Sequence, residues 1–79
     1  MIEEKRRHPR TTVEDRALIS AEGSVISCII RNISVDGAAI DVENAAFVPH
    51  RFRLIMPDSS IKECSTVWIK QNRIGVSFD

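Results

Sequence analysis

The chain has 79 residues, of which 43% are hydrophobic and 28% are charged, and its 11 basic and 11 acidic side chains cancel to a net charge of zero. A chain of this length forms one domain with a modest core, which leaves little room for the deep cleft of an enzyme. The balanced charge argues against general attraction to nucleic acid, and no apolar run approaches the ~20 residues of a membrane span.

The chain begins with a short basic segment, MIEEKRRHPRTT, which we call the basic arm (residues 1–12). Its positive charge is concentrated between Lys5 and Arg10. The arm contains no apolar core of the kind found in secretory signal peptides. The sequence therefore predicts a flexible arm, a cytoplasmic location and no membrane insertion. On charge alone, a solvated basic tail is the simplest interpretation of this segment.

Six segments after the arm have the composition of β-strands. They are rich in Val, Ile and Phe and are separated by turn signals such as Glu22-Gly23 and the PDSS stretch at residues 57–60. Two apolar doublets, Val25-Ile26 and Ile29-Ile30, interrupt the alternation and indicate a bulge or a two-sided environment. The predicted strands cover residues 16–21, 24–33, 37–42, 51–56, 61–70 and 73–79.

The predicted strands 51–56 and 73–79 show the clearest alternation, and Ile74, Val76 and Phe78 of the latter are expected to point inward. Phe52, Leu54 and Met56 share one face, while Arg51 and Arg53 share the other and are expected to be the wet side of a half-buried strand. No segment forms a convincing amphipathic helix, and residues 43–48 offer a single turn at most. The sequence predicts an all-β domain over residues 13–79: a small six-stranded antiparallel barrel with little or no helix.

The two cysteines are predicted to be buried, reduced thiols. Cys28 and Cys64 lie alone in strand-like segments, and His8 and His50 are the only histidines that could join them around a metal. Four candidate ligands without close spacing make a poor zinc site. We therefore expect no metal and no cofactor. The sequence also contains none of the common catalytic motifs, and we expect that the protein is not an enzyme.

Two short stretches carry candidate ligand-binding chemistry. In the first, RRHPR, Arg6 and Arg10 are separated by three residues, and each guanidinium offers a planar fork of donors to phosphate oxygens or to the O6/N7 edge of guanine. In the second, NISVDG, Asn32 and Ser34 alternate along one strand and present an amide and a hydroxyl to the same face. Gly37 permits a turn or the close approach of a ligand, whereas Asp36 is expected to serve the turn alone.

The pair RxxxR and [D/N]xSxxG, in this order and about twenty residues apart, resembles the PilZ family of cyclic di-GMP receptors. The strand that follows RHPR, Trp68 on the penultimate strand, and the closing RIGVSFD extend the resemblance over residues 5–79. The resemblance implies a six-stranded antiparallel barrel. It further implies that Arg6 and Arg10 hold guanine edges and phosphates, and that Asn32, Ser34 and Gly37 hold a guanine against the barrel.

Several side chains leave two interpretations open. Lys5 and Arg7 either add phosphate contacts or face solvent. Trp68 is more typical of barrel-rim packing than of a platform for base stacking, and Gly75 is expected where a strand bends or another backbone approaches. Asn32 replaces the aspartate of many family members and lacks the charge that would pair with guanine N1–H and N2–H, so a slightly weaker affinity is expected.

The sequence supports two functions of different classes. The first is a stand-alone cyclic di-GMP sensor, in which the ligand orders the basic arm and changes a surface presented to an unidentified downstream protein. The second is a PilZ-like interaction module without a ligand, against which Arg6, Arg10, Ser34 and Gly37 argue. A nucleic-acid-binding barrel is disfavoured by the zero net charge and by the presence of only four aromatic side chains.

Overall fold

The computed structural model describes residues 11–79, and these residues form six β-strands and one short 3-10 turn. In residues 11–79 no helix has the length and apolar character needed to cross a membrane. The 3-10 turn spans Ala45–Phe47 and falls within the segment predicted to hold a single turn at most. The strands are β1 Thr11–Ala21, β2 Ser24–Ile33, β3 Gly37–Val42, β4 Arg51–Ile55, β5 Ile61–Lys70 and β6 Arg73–Phe78.

The six strands close into an antiparallel barrel, as the sequence predicted. The order around the barrel is β1-β2-β3-β6-β5-β4, and β4 returns to pair with β1 through Leu18↔Ile55, Ile19↔Leu54 and Ser20↔Arg53. Because the sheet closes on itself, few strand edges remain exposed. A chain of 79 residues has little additional structure with which to cover such edges.

The core lies inside the barrel and is built from alternate residues of every strand. Ile19, Ile30, Ile40, Leu54 and Ile74 are completely or almost completely buried. Burying a large aliphatic side chain stabilises the fold by about 1.5–3 kcal/mol relative to leaving it exposed. These five side chains therefore make a large hydrophobic contribution to the stability of the barrel.

Both cysteines belong to the same core cluster and carry free thiols, as predicted. Burial raises the pKa of Cys28 to about 11 and that of Cys64 to about 12, where nearby carboxylates add to the effect of burial. At neutral pH both groups are therefore neutral thiols packed as small apolar side chains.

The start of β1 differs from the sequence-based expectation, whereas the bulge or two-sided environment predicted at the apolar doublets is confirmed. β1 begins at Thr11 rather than at residue 16, because polar residues of its first half pair with the end of β2. A bulge places Arg31 as an extra residue between the pairs Ile30↔Ile40 and Asn32↔Ala39, next to the doublet Ile29-Ile30. The register near the doublet Val25-Ile26 is continuous, and there the exposed Val25 gives the two-sided environment.

Candidate functional site

The NISVDG stretch forms the end of β2 and a tight connection to β3, which we call the motif turn (residues 34–37). The backbone N–H of Ser34 donates to the carbonyl oxygen of Gly37 at 2.8 Å. The Ser34 hydroxyl donates to Asp36 Oδ1 at 2.7 Å and lies 3.3 Å from the same Gly37 carbonyl oxygen. The N–H of Phe78 donates to the carbonyl oxygen of Asp36 at 3.0 Å and thereby fixes the turn to the end of β6. Ser34 and Asp36 thus have the turn-stabilising role that the sequence predicted for Asp36.

Gly37 is required by the fold itself. It is buried at the start of β3, opposite Ser77 of β6, and a Cβ atom at this position would collide with the carbonyl oxygen of Val76. Its φ lies outside the left-handed region, so close strand packing rather than turn conformation excludes a side chain here. The glycine of the motif therefore lets β3 approach β6.

Asn32 lies on the outer face of the barrel in a row that crosses five strands. The neighbouring residues Ala38 and Ile40 point into the core, so Ala39 and its strand partner Asn32 point outward. The bulge at Arg31 sets this orientation because it shifts the alternation of β2 by one residue. The outer row consists of Thr12, Asn32, Ala39, Gly75 and Trp68.

The start of β1 lies beside the end of β2, which contains the first residues of the NISVDG stretch. Thr11 lies opposite Ile33 and Thr12 lies opposite Asn32, so the chain enters the barrel beside the motif turn. The residues of the RxxxR motif and its neighbours, namely Lys5, Arg6, Arg7 and Arg10, lie outside the described residues. Their roles as ligand contacts remain predictions. What the structure does bring together is Asn32, the motif turn and the point where the basic arm joins β1.

Trp68 covers Gly75 on the outer face, three strands away from Asn32. A Cβ atom on Gly75 would collide with the indole ring of Trp68, and the two residues are strand partners beside a bulge in β5. Trp68 nevertheless remains 43% exposed. Gly75 is thus structural, as predicted, but its neighbour is a side chain rather than a second backbone. Trp68 packs on the barrel surface and keeps part of its ring in solvent.

The two exposed arginines of β4 are paired with carboxylates. Arg51 donates to Asp79 at 2.8 Å, and Arg53 donates to its strand neighbour Glu63 at 2.9 Å. The expected basic face of β4 is therefore electrically neutralised. This pairing is unfavourable for a nucleic-acid-binding surface on β4, which would need unpaired positive charge.

A second ion-pair group lies on the outer face of β3 and β6. Arg73 donates to both oxygens of Asp41 at 2.6 and 3.0 Å, and Arg31 lies 3.5 Å from the same carboxylate. Hydrogen bonding from Arg73 holds the pKa of Asp41 below its usual range. Within residues 11–79 no three His, Cys, Asp or Glu side chains are grouped to hold a metal ion.

A groove on the described surface lies away from the motif turn. It has a volume of about 680 Å³ and runs beside β1, β2, β3 and the end of β4, with Leu18, Ile29 and Ile55 among its lining residues. None of Asn32, Ser34 or Gly37 lines it. Within the outer row Asn32 is half-buried and Trp68 is 43% exposed, whereas Ala39 and Gly75 are buried. The chemistry of the motif, and not the size of the groove, therefore locates the candidate site.

Sequence reasoning missed the direct bond between Ser34 and Asp36. The signal was available, because a serine and an aspartate two residues apart in a turn commonly bond to each other or to the backbone between them.

A family model described as PilZ domain matches residues 4–79, which is nearly the whole chain. No curated protein matches the sequence significantly.

Proposed function

The chain belongs to the PilZ domain family of cyclic di-GMP receptors, and on that premise we propose that it binds cyclic di-GMP on the outer face beside the motif turn. The observation that carries the proposal is the juxtaposition at this point of Asn32, Ser34 and the start of β1. The barrel supplies a fixed polar surface at Asn32 and Ser34, and the RxxxR motif directly precedes β1 in the sequence.

Each part of the proposed site has a separate chemical task. The guanidinium groups of Arg6 and Arg10 bind phosphate oxygens and the O6/N7 edge of guanine, and Lys5 and Arg7 add further phosphate contacts. The Asn32 amide and the Ser34 hydroxyl bind polar edges of the guanine that lies on the barrel. The ligand is thus enclosed between a rigid surface and a cationic segment.

The proposed output is a change in the surface that a partner recognises. In this scheme the ligand stabilises a conformation in which the basic arm lies over the outer face. The shift can be no larger than the difference in ligand affinity between the two conformations. The protein would then act as an adaptor for a downstream protein, without catalysis and in the cytoplasm, where such a second messenger is available.

The second candidate function is a PilZ-like interaction module that binds no ligand. One observation favours it: Gly37 is needed for strand packing and Ser34 closes the turn, so both have structural reasons to be present. These two residues therefore no longer separate the two functions. Arg6, Arg10 and Asn32 do separate them, since an interaction module without a ligand has no use for this arrangement.

Arg10→Ala tests the proposal, with Arg53→Ala as a matched control. Both variants remove one positive charge, but Arg53 is exposed and paired with Glu63. Arg53 lies opposite Ser20, at the other end of β1 from the residue that pairs with Asn32. We expect Arg10→Ala to remove most of the affinity for cyclic di-GMP and to change the free energy of unfolding without ligand by less than about 0.5 kcal/mol. Arg53→Ala should bind as the wild type does.

Calorimetric titration and thermal unfolding measure both quantities on each variant. If Arg10→Ala binds as tightly as Arg53→Ala, the basic arm is not part of the site. If Arg10→Ala instead lowers the stability of the ligand-free protein substantially, Arg10 is a structural residue.

A further inference from the structure

We propose that Asp36 limits the affinity of this site, because its carboxylate holds the Ser34 hydroxyl and places a negative charge where the ligand's phosphates approach. The inference rests on the proposed function, since it concerns cyclic di-GMP at the same surface. It gives Asp36 a role beyond the turn chemistry that the sequence predicted.

The geometry fixes the Asp36 carboxylate beside Ser34. The hydroxyl-to-carboxylate distance is 2.7 Å, which is typical of a strong hydrogen bond to a charged acceptor. Both ends of the turn are held by backbone bonds, from Ser34 N–H to Gly37 and from Phe78 N–H to Asp36, at 2.8 and 3.0 Å. Because its backbone is fixed in this way, Asp36 keeps its charge close to the hydroxyl.

A serine hydroxyl has only one hydrogen to donate. While Ser34 donates it to Asp36, the hydroxyl offers a ligand only acceptor lone pairs. Guanine O6, guanine N7 and the phosphate oxygens are all acceptors, so any of them must displace Asp36 to be bound by Ser34. Binding therefore exchanges one charge-assisted hydrogen bond for another, and the net gain from Ser34 is small.

The charge of Asp36 acts in the same direction. Cyclic di-GMP carries two phosphate charges, and a carboxylate at the rim of the site opposes both of them through the solvent. The motif turn is exposed at Asp36, so this repulsion is modest and is screened by salt. A variant that removes the charge while keeping an acceptor oxygen isolates this effect.

Asp36→Asn is that variant, and Asp58→Asn is its matched control. Asp58 lies in the β4–β5 turn, where its Oδ1 accepts from the Ser60 hydroxyl at 2.7 Å and from the Ser60 N–H at 2.9 Å. Both variants therefore remove one negative charge from an exposed aspartate that bonds a serine two residues away. Of the two, only Asp36 lies in the motif turn and bonds Ser34.

Titrations with cyclic di-GMP at low and high salt should show a tighter complex for Asp36→Asn alone. We expect Asp36→Asn to bind cyclic di-GMP about threefold to fivefold more tightly than the wild type at low ionic strength, which is the size of an exposed charge effect. This difference in affinity should become smaller at high salt. Asp36→Ala also frees the Ser34 hydroxyl to donate to the ligand, so its affinity for cyclic di-GMP should rise further, up to about tenfold above the wild type. Asp58→Asn should stay within about twofold of the wild type. Thermal unfolding of each variant establishes that the barrel is intact.

The outcomes separate this inference from the proposed function. If the wild type binds and Asp36→Asn binds equally or more weakly, Asp36 does not oppose the ligand, and the inference alone is overturned. If the wild type and all three variants fail to bind, both the inference and the proposed function are overturned.

Discussion

Substituting Gly37 by alanine should destabilise the barrel, although glycine-to-alanine changes in strands are usually favourable. A Cβ atom at Gly37 would overlap the carbonyl oxygen of Val76, which lies on the β6 backbone next to the pair Gly37↔Ser77. Overpacking of this kind costs about 1–3 kcal/mol, whereas reduced freedom of the unfolded chain offsets about 0.5–1 kcal/mol. The difference between these ranges is about 0–2.5 kcal/mol. Because the obstacle is a backbone carbonyl that cannot rotate away, we expect a net loss in the upper part, about 1–2 kcal/mol, with a fall in Tm of about 4–8 °C for each kcal/mol.

Gly75→Ala is the control for this prediction, because its added Cβ meets the Trp68 side chain rather than backbone. The half-exposed indole can rotate away, so Gly75→Ala should cost less than Gly37→Ala and should change the fluorescence of Trp68. Urea unfolding followed by circular dichroism measures both stabilities, and emission spectra report the indole. Equal or greater stability of Gly37→Ala relative to the wild type would show that β3 and β6 separate easily, which would refute the packing argument.

Two further predictions concern titratable groups. Because Arg73 lowers the pKa of Asp41 in the folded protein, the stabilisation from this pair is complete above the unfolded value near pH 4 and is lost as the pH falls below it. The difference in urea midpoint between wild type and Asp41→Asn should therefore be smaller at pH 3 than at pH 7, and an equal difference at both would contradict the assignment. Because burial raises the pKa of Cys28 and Cys64 to about 11 and about 12, neither thiol should react with a thiol-specific reagent at pH 8 until urea unfolds the barrel. Rapid reaction of the native protein would show that at least one thiol is accessible.

The fold could be predicted from the sequence because its alternating patterns agree with the barrel. Phe52 and Leu54 of β4, and Ile74 and Val76 of β6, face the core as their spacing indicates. The start of β1 could not be predicted, since its first residues are polar and become a strand only through pairing with β2. The local sequence pattern carries no information about a pairing partner that lies far along the chain.

The candidate site could be predicted only in part. The sequence predicted that Asn32 and Ser34 share one strand end, but it did not reveal that Asn32 lies opposite Thr12 of β1 or why Gly37 is needed. That reason lies in Val76, 39 positions along the chain, whose carbonyl oxygen occupies the space of a Cβ atom. The pairing of Arg51 and Arg53 with carboxylates likewise depends on strand register, which fixes Glu63 opposite Arg53.

The central claim is that the outer face beside the motif turn binds cyclic di-GMP, and a calorimetric titration of the wild-type protein tests it most directly. GTP serves as the control ligand, because it shares the guanine base and the phosphates but not the cyclic dinucleotide. The account predicts saturable heat with cyclic di-GMP and none with GTP. No heat and no thermal shift at high micromolar cyclic di-GMP would contradict it and leave the interaction module as the function.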